Sequence, residues 1–308
     1  MADLRLPRAS SVPPRAVIVH RATEYEGLLA RHATRGQAAF FLHGRGQDID
    51  ELEARHAAIQ SALTAVMAAV PTPWRHTRVE RSDLNRFNFE PSDVVLTVGQ
   101  DGLVANVAKY LAGQPVIGVN PMAAVFDGIL VQHAPASVAA LLAHLDADHA
   151  VPGERRTMVQ GTLDDGQHLL ALNELFVGHR SHQSARYMLR AGASEERHSS
   201  SGVIVATGTG ATGWARSINR SRAHRLDLPE PEDAGLAWFV REAFPNVATG
   251  TSLDGGRASA DEPLHLRSEM DAGGVIFGDG METDHLDFGW GQQVQIDVAK
   301  TQLHLVTA

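Results

Sequence analysis

The spacing of apolar residues divides this chain of 308 residues into two parts of different character. In the first part, short apolar runs typical of buried strands alternate with amphipathic stretches typical of helices. The predicted strands are 16–20, 38–42, 77–80, 93–98 and 115–119. The predicted helices are 24–33, 48–70 and 103–111, and Asp48 is the expected N-cap of the second. Strands that alternate with helices indicate a parallel, doubly wound α/β sheet, which is a Rossmann-like architecture.

From about residue 150 the pattern changes to the alternation of apolar and polar positions that is typical of half-exposed strands. The predicted strands are 169–177, 186–190, 202–206, 264–268, 274–277, 293–298 and 302–306. A helix is predicted over 214–220, directly after a glycine-rich segment. The second part is therefore expected to be a β-rich domain.

Domain boundaries follow from these patterns. Residues 1–14, which are rich in arginine and proline, are expected to form a disordered leader. Residues 15–148 are expected to form the α/β domain, and residues 149–292 the β-rich domain. Residues 293–308 hold C-terminal strands, of which 302–306 is a candidate to return to the first domain.

Composition excludes several classes of function. A formal net charge of −9 argues against binding to nucleic acid or to anionic membranes, both of which favour a basic surface. No apolar run approaches the roughly 20 residues of a membrane span. Cysteine is absent, which excludes disulfides, thiolate catalysis and cysteine-ligated zinc, and fits a cytoplasmic location. The sixteen histidines show no metal-binding spacing, so none is assigned to a metal.

The most informative segment is Gly99-Gln100-Asp101-Gly102, which joins a β-branched apolar run to a predicted helix. Doubly wound sheets bind ligands at the carboxyl ends of their strands, and a helix N-terminus attracts phosphate. Asp101 is placed there to hold a metal or to accept a proton. Glycines also serve plain strand-to-helix turns, so a purely structural interpretation stays open.

Lysine is scarce in this chain, whereas arginine is common. Lys109 and Lys300 are the only lysines, so phosphate would have to be bound by arginine, backbone amides or a metal. Residues 35–47, which carry three glycines among arginines, are interpreted either as a solvated linker or as a phosphate-handling loop.

A second glycine cluster, residues 207–213, contains G-x-G-x-x-G directly after a predicted strand. The dinucleotide fingerprint of dehydrogenases needs a second parallel strand within about 30 residues. Residues 224–233 are proline-rich and do not fit such a strand, which disfavours a dehydrogenase. The same cluster offers threonine hydroxyls and close approach to the backbone for a ligand. An ordinary loop is the alternative.

Asn173 and Glu174 interrupt the predicted apolar strand 169–177. Burying an amide and a carboxylate costs free energy unless partners are supplied. The pair therefore either pins a neighbouring loop by hydrogen bonds or recognises a base edge or ribose hydroxyls of a ligand.

Taken together, the three segments resemble the NAD kinase family. Its members carry a Gly-Gly-Asp-Gly turn, an Asn-Glu pair in a strand and a threonine-rich glycine loop, in this order. The similarity is closest to the mitochondrial-type NAD kinase branch and runs from about residue 75 to the C-terminus. The matching segments are 115–120, 171–177, 200–202, 207–210, 218–220, 241–242 and the Gly278-Asp279-Gly280 turn.

The resemblance implies an NAD kinase-like two-domain architecture, with a Rossmann-like first domain and a β-sandwich-like second domain. It implies ATP-dependent phosphorylation of the adenosine-ribose 2′-hydroxyl of NAD to give NADP. Mg²⁺ would be carried by the nucleotide phosphates, with no metal ligand from the chain. Nucleotides would be the partners, and the protein would be a homodimer or homotetramer.

The resemblance also assigns roles to residues. Asp101 would be the catalytic carboxylate, and Gly99, Gln100 and Gly102 would form the phosphate-binding, ATP-binding turn. The NAD-binding residues would be Asn120, Asn173, Glu174, Thr207, Thr209, Gly210, Thr212 and Ser217.

Three positions depart from the family pattern. Gln100 replaces the second glycine of the turn, Leu103 replaces a threonine, and Trp214 replaces a tyrosine. A non-glycine residue in a left-handed conformation costs roughly 1–2 kcal/mol, so either the turn is reshaped or Gln100 has a permissive backbone angle. The departures leave open ATP or polyphosphate as donor and NAD or NADH as acceptor. The alternatives are a kinase for another nucleoside, sugar or lipid, and a catalytically inactive nucleotide-binding relative.

Overall fold

The structure is a computed structural model that describes residues 2–4, 13–123, 125, 128–147 and 149–308. Its helices are α1 (Glu24–His32), α2 (Arg35–His43), α3 (Ile49–Ala68), α4 (Asp101–Ala108), α5 (Val138–Asp146) and α6 (Trp214–Ser221). Short 3-10 helices are Arg81–Arg86, Pro135–Ser137 and Gly210–Thr212. No helix within the described ranges is both long enough and apolar enough to cross a bilayer.

Strands make up most of the second half of the chain. The first ten are β1 (Ala2–Leu4), β2 (Arg15–His20), β3 (Arg75–Glu80), β4 (Asp93–Val98), β5 (Pro115–Val119), β6 (Val151–Arg156), β7 (Val159–Leu163), β8 (His168–Ala171), β9 (Glu174–His179) and β10 (Ala185–Ala191). The others are β11 (Ser194–Ser200), β12 (Val203–Ala206), β13 (Leu236–Val240), β14 (Gly255–Ala258), β15 (Leu264–Ser268), β16 (Gly274–Gly278), β17 (His285–Asp287), β18 (Gln293–Val298) and β19 (Leu303–Val306).

The chain divides into two compact units. Unit 1 consists of Met1–Val107, Gln114–Glu154 and His304–Ala308, and unit 2 consists of Ala108–Gly113 and Arg155–Leu303. The chain leaves the first unit after Glu154, a few residues beyond the expected boundary at 148, and returns to it with β19.

Unit 1 is built on a seven-stranded sheet in the order β1-β6-β19-β5-β4-β2-β3. Strands β2, β3, β4, β5 and β19 pair in parallel. Every residue of β4 is buried, which explains its continuous apolar run. Helix α3, capped by Asp48 as its sequence predicts, covers the sheet with Leu63 and Val66, and α5 adds Leu142. The predicted Rossmann-like α/β sheet is confirmed.

The prediction of a strand over 38–42 is wrong, because these residues lie in α2. The Thr34 side chain caps that helix, and Ala38 and Leu42 are buried one helical turn apart. A short apolar run does not distinguish a strand from one face of a helix. Because 35–43 is helical, neither the linker nor the phosphate-loop interpretation holds for that part of 35–47.

The expectation of a disordered leader is wrong for Ala2–Leu4, which pairs antiparallel with β6. Leu4 is buried, and a Cβ on Gly153 would lie 2.2 Å from its Cδ1. The absence of a side chain at Gly153 therefore makes room for the leucine. Residues 5–12 of the expected leader lie outside the described residues.

Unit 2 is a β-sandwich, as the resemblance implies. Its two six-stranded sheets have the orders β11-β10-β15-β18-β7-β8 and β14-β13-β12-β9-β16-β17. All pairings in them are antiparallel among the described residues. The shared core contains Tyr187 and Leu266 from the first sheet and Val205 and Trp238 from the second.

The prediction of one strand over 169–177 is wrong. The strand breaks at Leu172 and Asn173 into β8 and β9. The amide N–H groups of both residues donate to the carboxylate of Asp279, at 2.8 and 2.7 Å. This side chain supplies the acceptor that a neighbouring strand would otherwise provide.

Candidate functional site

The Gly99–Gly102 turn follows β4, at the carboxyl end of the parallel sheet of unit 1. The Gly99 N–H donates to the Val119 carbonyl at 3.1 Å, and α4 begins at Asp101. Among the described residues, a positive φ at a non-glycine position occurs at Ala33, Glu242 and Asp279. Gln100 therefore has a permissive backbone angle, and its replacement of the family glycine strains nothing.

The carboxylate of Asp101 holds a neighbouring loop. Its Oδ1 accepts the amide N–H groups of Leu130 and Val131 at 2.8 and 3.0 Å. Its Oδ2 accepts the N–H of Ile129 at 3.0 Å. An ionised carboxylate offers about four acceptor positions. About one position, on Oδ2, therefore remains for a hydroxyl donor.

The backbone around Asp101 is suited to an anion. The amide N–H groups of Gln100, Asp101 and Gly102 have no acceptor in the described part of the chain. These groups lie at the N-terminus of α4, where unpaired N–H groups and the helix dipole attract phosphate. The Leu103 side chain is buried, and a Cβ on Gly99 would lie 3.3 Å from its Cδ2.

Asn120 belongs to unit 1 and lies directly after β5. Its Oδ1 accepts the Met122 N–H at 3.0 Å, and its own N–H donates to the His133 carbonyl at 2.8 Å. The side chain is buried. These contacts fix the turn after β5.

The Asn173–Glu174 segment of unit 2 lies against a second glycine-bracketed aspartate. Asp279 accepts N–H groups from three consecutive residues, with Glu174 at 3.4 Å completing the set begun by Leu172 and Asn173. Asp279 has φ +53° and is followed by Gly280 at φ +66°, so this turn is tightly bent. Sequence reasoning noted the Gly-Asp-Gly triplet and missed this contact.

Glu174 and Asp279 form a partly buried carboxyl pair. Burial and the charge of Asp279 raise the pKa of Glu174 to about 7. Burial also raises the pKa of Asp279 to about 6, against the opposing effects of its three amide donors and of Lys109. The pair therefore carries less than two negative charges near neutral pH.

The threonine-rich loop is locked onto the same segment. The buried Thr207 hydroxyl donates to the Leu172 carbonyl at 2.5 Å and accepts N–H groups from Thr209 and Gly210. A Cβ on Gly210 would lie 2.1 Å from the Asn173 carbonyl oxygen. Thr207 and Gly210 therefore support the loop, and Gly210 is required by close approach of two backbones.

The other candidates of this loop differ in exposure. Thr209 is buried, and Arg156 donates to its hydroxyl at 3.5 Å. Thr212 and Ser217 are exposed. The Thr212 hydroxyl donates to the Thr209 carbonyl, whereas that of Ser217 has no partner in the described residues. Thr212 and Ser217 are thus the two accessible hydroxyls of the set.

An aromatic group borders this loop. The ring of Trp214 stacks on Phe176, with centroids 6.4 Å apart and an interplanar angle of 9°. The Arg241 guanidinium carbon lies 4.9 Å from the centroid of Trp214. Trp214 is 38% exposed beside these two contacts, so part of the residue is accessible. Sequence reasoning did not predict the roles of Phe176 and Arg241.

The G-x-G-x-x-G match does not form a dinucleotide fingerprint. Strand β12, which precedes it, is antiparallel to both neighbours, β9 and β13. A dehydrogenase fingerprint opens a parallel β-α-β unit. The dehydrogenase interpretation is therefore excluded. The described residues also contain no cluster of three metal-ligating side chains.

Comparison with known proteins agrees with this architecture. No family model matches the chain. An NAD kinase of Methanospirillum hungatei JF-1 is 30% identical over 131 residues, which are 41% of this chain and 46% of that protein. The match thus spans about half the length of the curated relative.

Two solved structures are similar over nearly the whole chain. An NAD kinase from Archaeoglobus fulgidus in complex with ATP has a TM-score of 0.57 at 18% identity, covering 95% of this chain and 93% of its own. Yeast NADH kinase complexed with NADH has a TM-score of 0.60 at 11% identity, covering 100% of this chain and 89% of its own. An α/β unit followed in the chain by a β-sandwich is the architecture that this class of proteins shares. The chain has the two-domain NAD kinase fold.

Proposed function

We propose that this chain is an NAD kinase that transfers a phosphoryl group from ATP to the adenosine-ribose 2′-hydroxyl of NAD, giving NADP. The fold, the partial sequence similarity and the motif order all support this assignment. The observation that carries it is the Gly99–Gly102 turn, where one carboxylate and backbone N–H groups without an acceptor in the described residues come together at the start of α4. The matching segments support a place in the mitochondrial-type branch, which is part of this proposal.

Asp101 is proposed to orient the acceptor hydroxyl. Phosphoryl transfer depends mainly on positioning and charge stabilisation, so one well-aimed acceptor atom is sufficient. The Oδ2 atom of Asp101 keeps about one acceptor position after its bond to Ile129. The attacking hydroxyl would donate to this position, and the N–H groups of Gln100 and Gly102 would bind phosphate oxygens.

The NAD site is proposed to include the Asn173–Glu174 segment, the accessible Thr212 and Ser217, and the Trp214 surface. Near neutral pH Glu174 is partly protonated, because its pKa is about 7. It therefore both donates to and accepts from ribose hydroxyls or base edges. Thr207, Thr209 and Gly210 hold the loop, and Asn120 holds a turn in unit 1.

Further proposals concern the conditions of the reaction. ATP is the proposed donor, and Mg²⁺ bound to its phosphates supplies charge neutralisation, as is general for phosphoryl transfer. NAD is the proposed acceptor rather than NADH. The protein is proposed to be a cytoplasmic homodimer or homotetramer.

A coupled assay tests the proposal. Purified protein is incubated with NAD, ATP and Mg²⁺, and NADP is detected by an NADP-specific dehydrogenase. The expected result is NADP formation that requires all three reagents. No NADP, with NAD or ATP binding retained in calorimetry, would instead support an inactive nucleotide-binding protein. That second candidate is favoured by the engagement of Asp101 with three amides.

A further inference from the structure

Lys109 is a buried cation in unit 2. Its side chain is only 2% exposed, and its Nζ lies 2.5 Å from Oδ2 of Asp284. The Tyr110 hydroxyl donates to the same oxygen at 2.5 Å. A buried ammonium is costly unless carboxylates compensate its charge. One ion pair with Asp284 does not fully compensate the free-energy cost of burying this ammonium.

Asp284 and Asp279 lie on the same turn after β16. The Met281 N–H donates to Gly278, and the Asp284 N–H donates to Met281, so hydrogen bonds link the two ends of the turn. Burial acts to raise the pKa of Asp284, but hydrogen bonds from Lys109 and Tyr110 outweigh it and lower that pKa. The positive charge of Lys109 also lowers the pKa of Asp279. One ammonium thus acts on both carboxylates.

Asp279 must be ionised to accept all three N–H groups of residues 172–174, which are called the binding segment below. An ionised carboxylate is an acceptor only, whereas a protonated one converts an acceptor position into a donor. Leu172, Asn173 and Glu174 all present N–H donors to it. Burial opposes ionisation of Asp279, and the positive charge of Lys109 favours it.

We propose that Lys109 is a positioning residue for Leu172–Glu174, which it holds in the binding conformation through the carboxylate of Asp279. This inference rests on the proposed function, since it takes that segment as part of the NAD site. Among the described residues, the charged and titratable groups that act on Asp279 or on its turn include Glu174 on β9, Lys109 after α4, and Asp284 with Tyr110 beside it. Loss of the ammonium would protonate Asp279 at a higher pH and release the three amides.

The variant Lys109→Met tests this, and Lys300→Met is its matched control. Lys300 is exposed, lies between β18 and β19 and has no ion pair in the described residues. Two quantities are measured from pH 5.5 to 8.5: amide exchange protection of Leu172–Glu174, and KM for NAD. We expect Lys109→Met to lower protection and to raise KM about 3- to 30-fold at pH 7, the range for residues acting through an intermediate.

The pH profile distinguishes positioning from general destabilisation. In wild type, protection falls and KM rises as the pH falls through about 6, where Asp279 is protonated. In Lys109→Met this transition moves to higher pH, whereas a merely structural defect would leave its midpoint unchanged. If Lys109→Met does not fold, the wild-type pH profile and the Asp279→Asn variant still test whether the ionised carboxylate of Asp279 holds Leu172–Glu174. Asp279→Asn should lose protection at every pH and show no transition.

Failure of this inference is separable from failure of the proposed function. Amide exchange needs no turnover, so it reports on the segment even in a protein that makes no NADP. An active wild type whose Lys109→Met form matches Lys300→Met in protection, KM and midpoint overturns the inference and leaves the kinase assignment intact. Absence of NADP formation in wild type overturns the kinase assignment alone.

Discussion

The two units each contain an aspartate next to glycine that accepts three backbone N–H groups. Asp101 in unit 1 holds residues 129–131, and Asp279 in unit 2 holds residues 172–174. Asp101 begins a helix with ordinary backbone angles, whereas Asp279 has φ +53° and a carboxyl neighbour, Glu174. The same set of hydrogen bonds, three N–H groups on one carboxylate, therefore occurs in two different electrostatic environments.

The difference separates two tasks. The Asp101 site combines a carboxylate with helix N–H groups that have no acceptor among the residues the structure describes, which suits a phosphate and an oriented hydroxyl. The Asp279 site combines a carboxyl group of raised pKa with a nearby buried lysine. This arrangement is suited to holding the binding segment in place. On this account, chemistry depends on the first aspartate and binding depends on the second.

The largest expected effect follows from Asp101→Asn. The amide keeps the size of the side chain but removes the anion, and kcat should fall by about 10²–10⁴-fold. KM for NAD should change little, because the residues of unit 2 that are proposed to bind NAD are untouched. Steady-state kinetics measure both constants. A kcat within tenfold of wild type would contradict the catalytic role of Asp101.

The carboxyl pair of unit 2 predicts a pH-dependent stability. The pKa of Glu174 is raised from 4.5 to about 7, so the folded chain binds more protons than the unfolded chain between these values. Stability is therefore lost as the pH rises through this window. Glu174→Gln removes this loss and should gain up to about 3 kcal/mol relative to wild type between pH 5 and pH 8.

Urea unfolding at the two pH values measures that gain. Glu195→Gln, which removes an exposed carboxylate from β11, is the control and should show no such change. An equal difference between Glu174→Gln and wild type at both pH values would mean that Glu174 is not perturbed.

A smaller effect is expected where the threonine-rich loop meets the binding segment. Gly210→Ala places a Cβ 2.1 Å from the Asn173 carbonyl oxygen, so one backbone must move. Overpacking of this kind costs about 1–3 kcal/mol, and NAD affinity should fall with it. Gly27→Ala in α1, where no atom lies within 4 Å of the new Cβ, is the control. If calorimetry shows unchanged NAD affinity in Gly210→Ala, the threonine-rich loop does not contribute to NAD binding.

The smallest effect is expected at Gln100. Because Gln100 has no positive φ, restoring the family glycine relieves no strain. Gln100→Gly should lower stability by roughly 0.5–1 kcal/mol through backbone entropy, with kcat little changed. Thermal unfolding and the coupled assay measure these values. A clear gain in stability would show that the turn is strained.

The sequence predicted those features that are local. Strands β4 and β5 and the Asp48 cap of α3 follow from apolar runs and capping chemistry. The strand predicted at 38–42 failed because helix packing overrode an ambiguous run. The contact of Asp279 with Leu172 joins residues far apart in the chain, so no local pattern reveals it.

The candidate site shows the same limit. The spacing of motifs identified the Asp101 turn and the Asn173–Glu174 pair, since each has its own local signature. The buried Lys109 was noted only as one of two lysines, because its ion pair with Asp284 depends on the tertiary fold. The contact of Thr207 with NAD stays a prediction, and no local pattern revealed that its hydroxyl also supports the loop.

The most direct test of the kinase assignment is phosphorus NMR of the product that forms from NAD and MgATP. The account predicts one new phosphate monoester, located on the 2′-oxygen of the adenosine ribose and formed at least about 10²-fold more slowly by Asp101→Asn. A product phosphorylated at any other position, or no product from the wild-type protein, would contradict it.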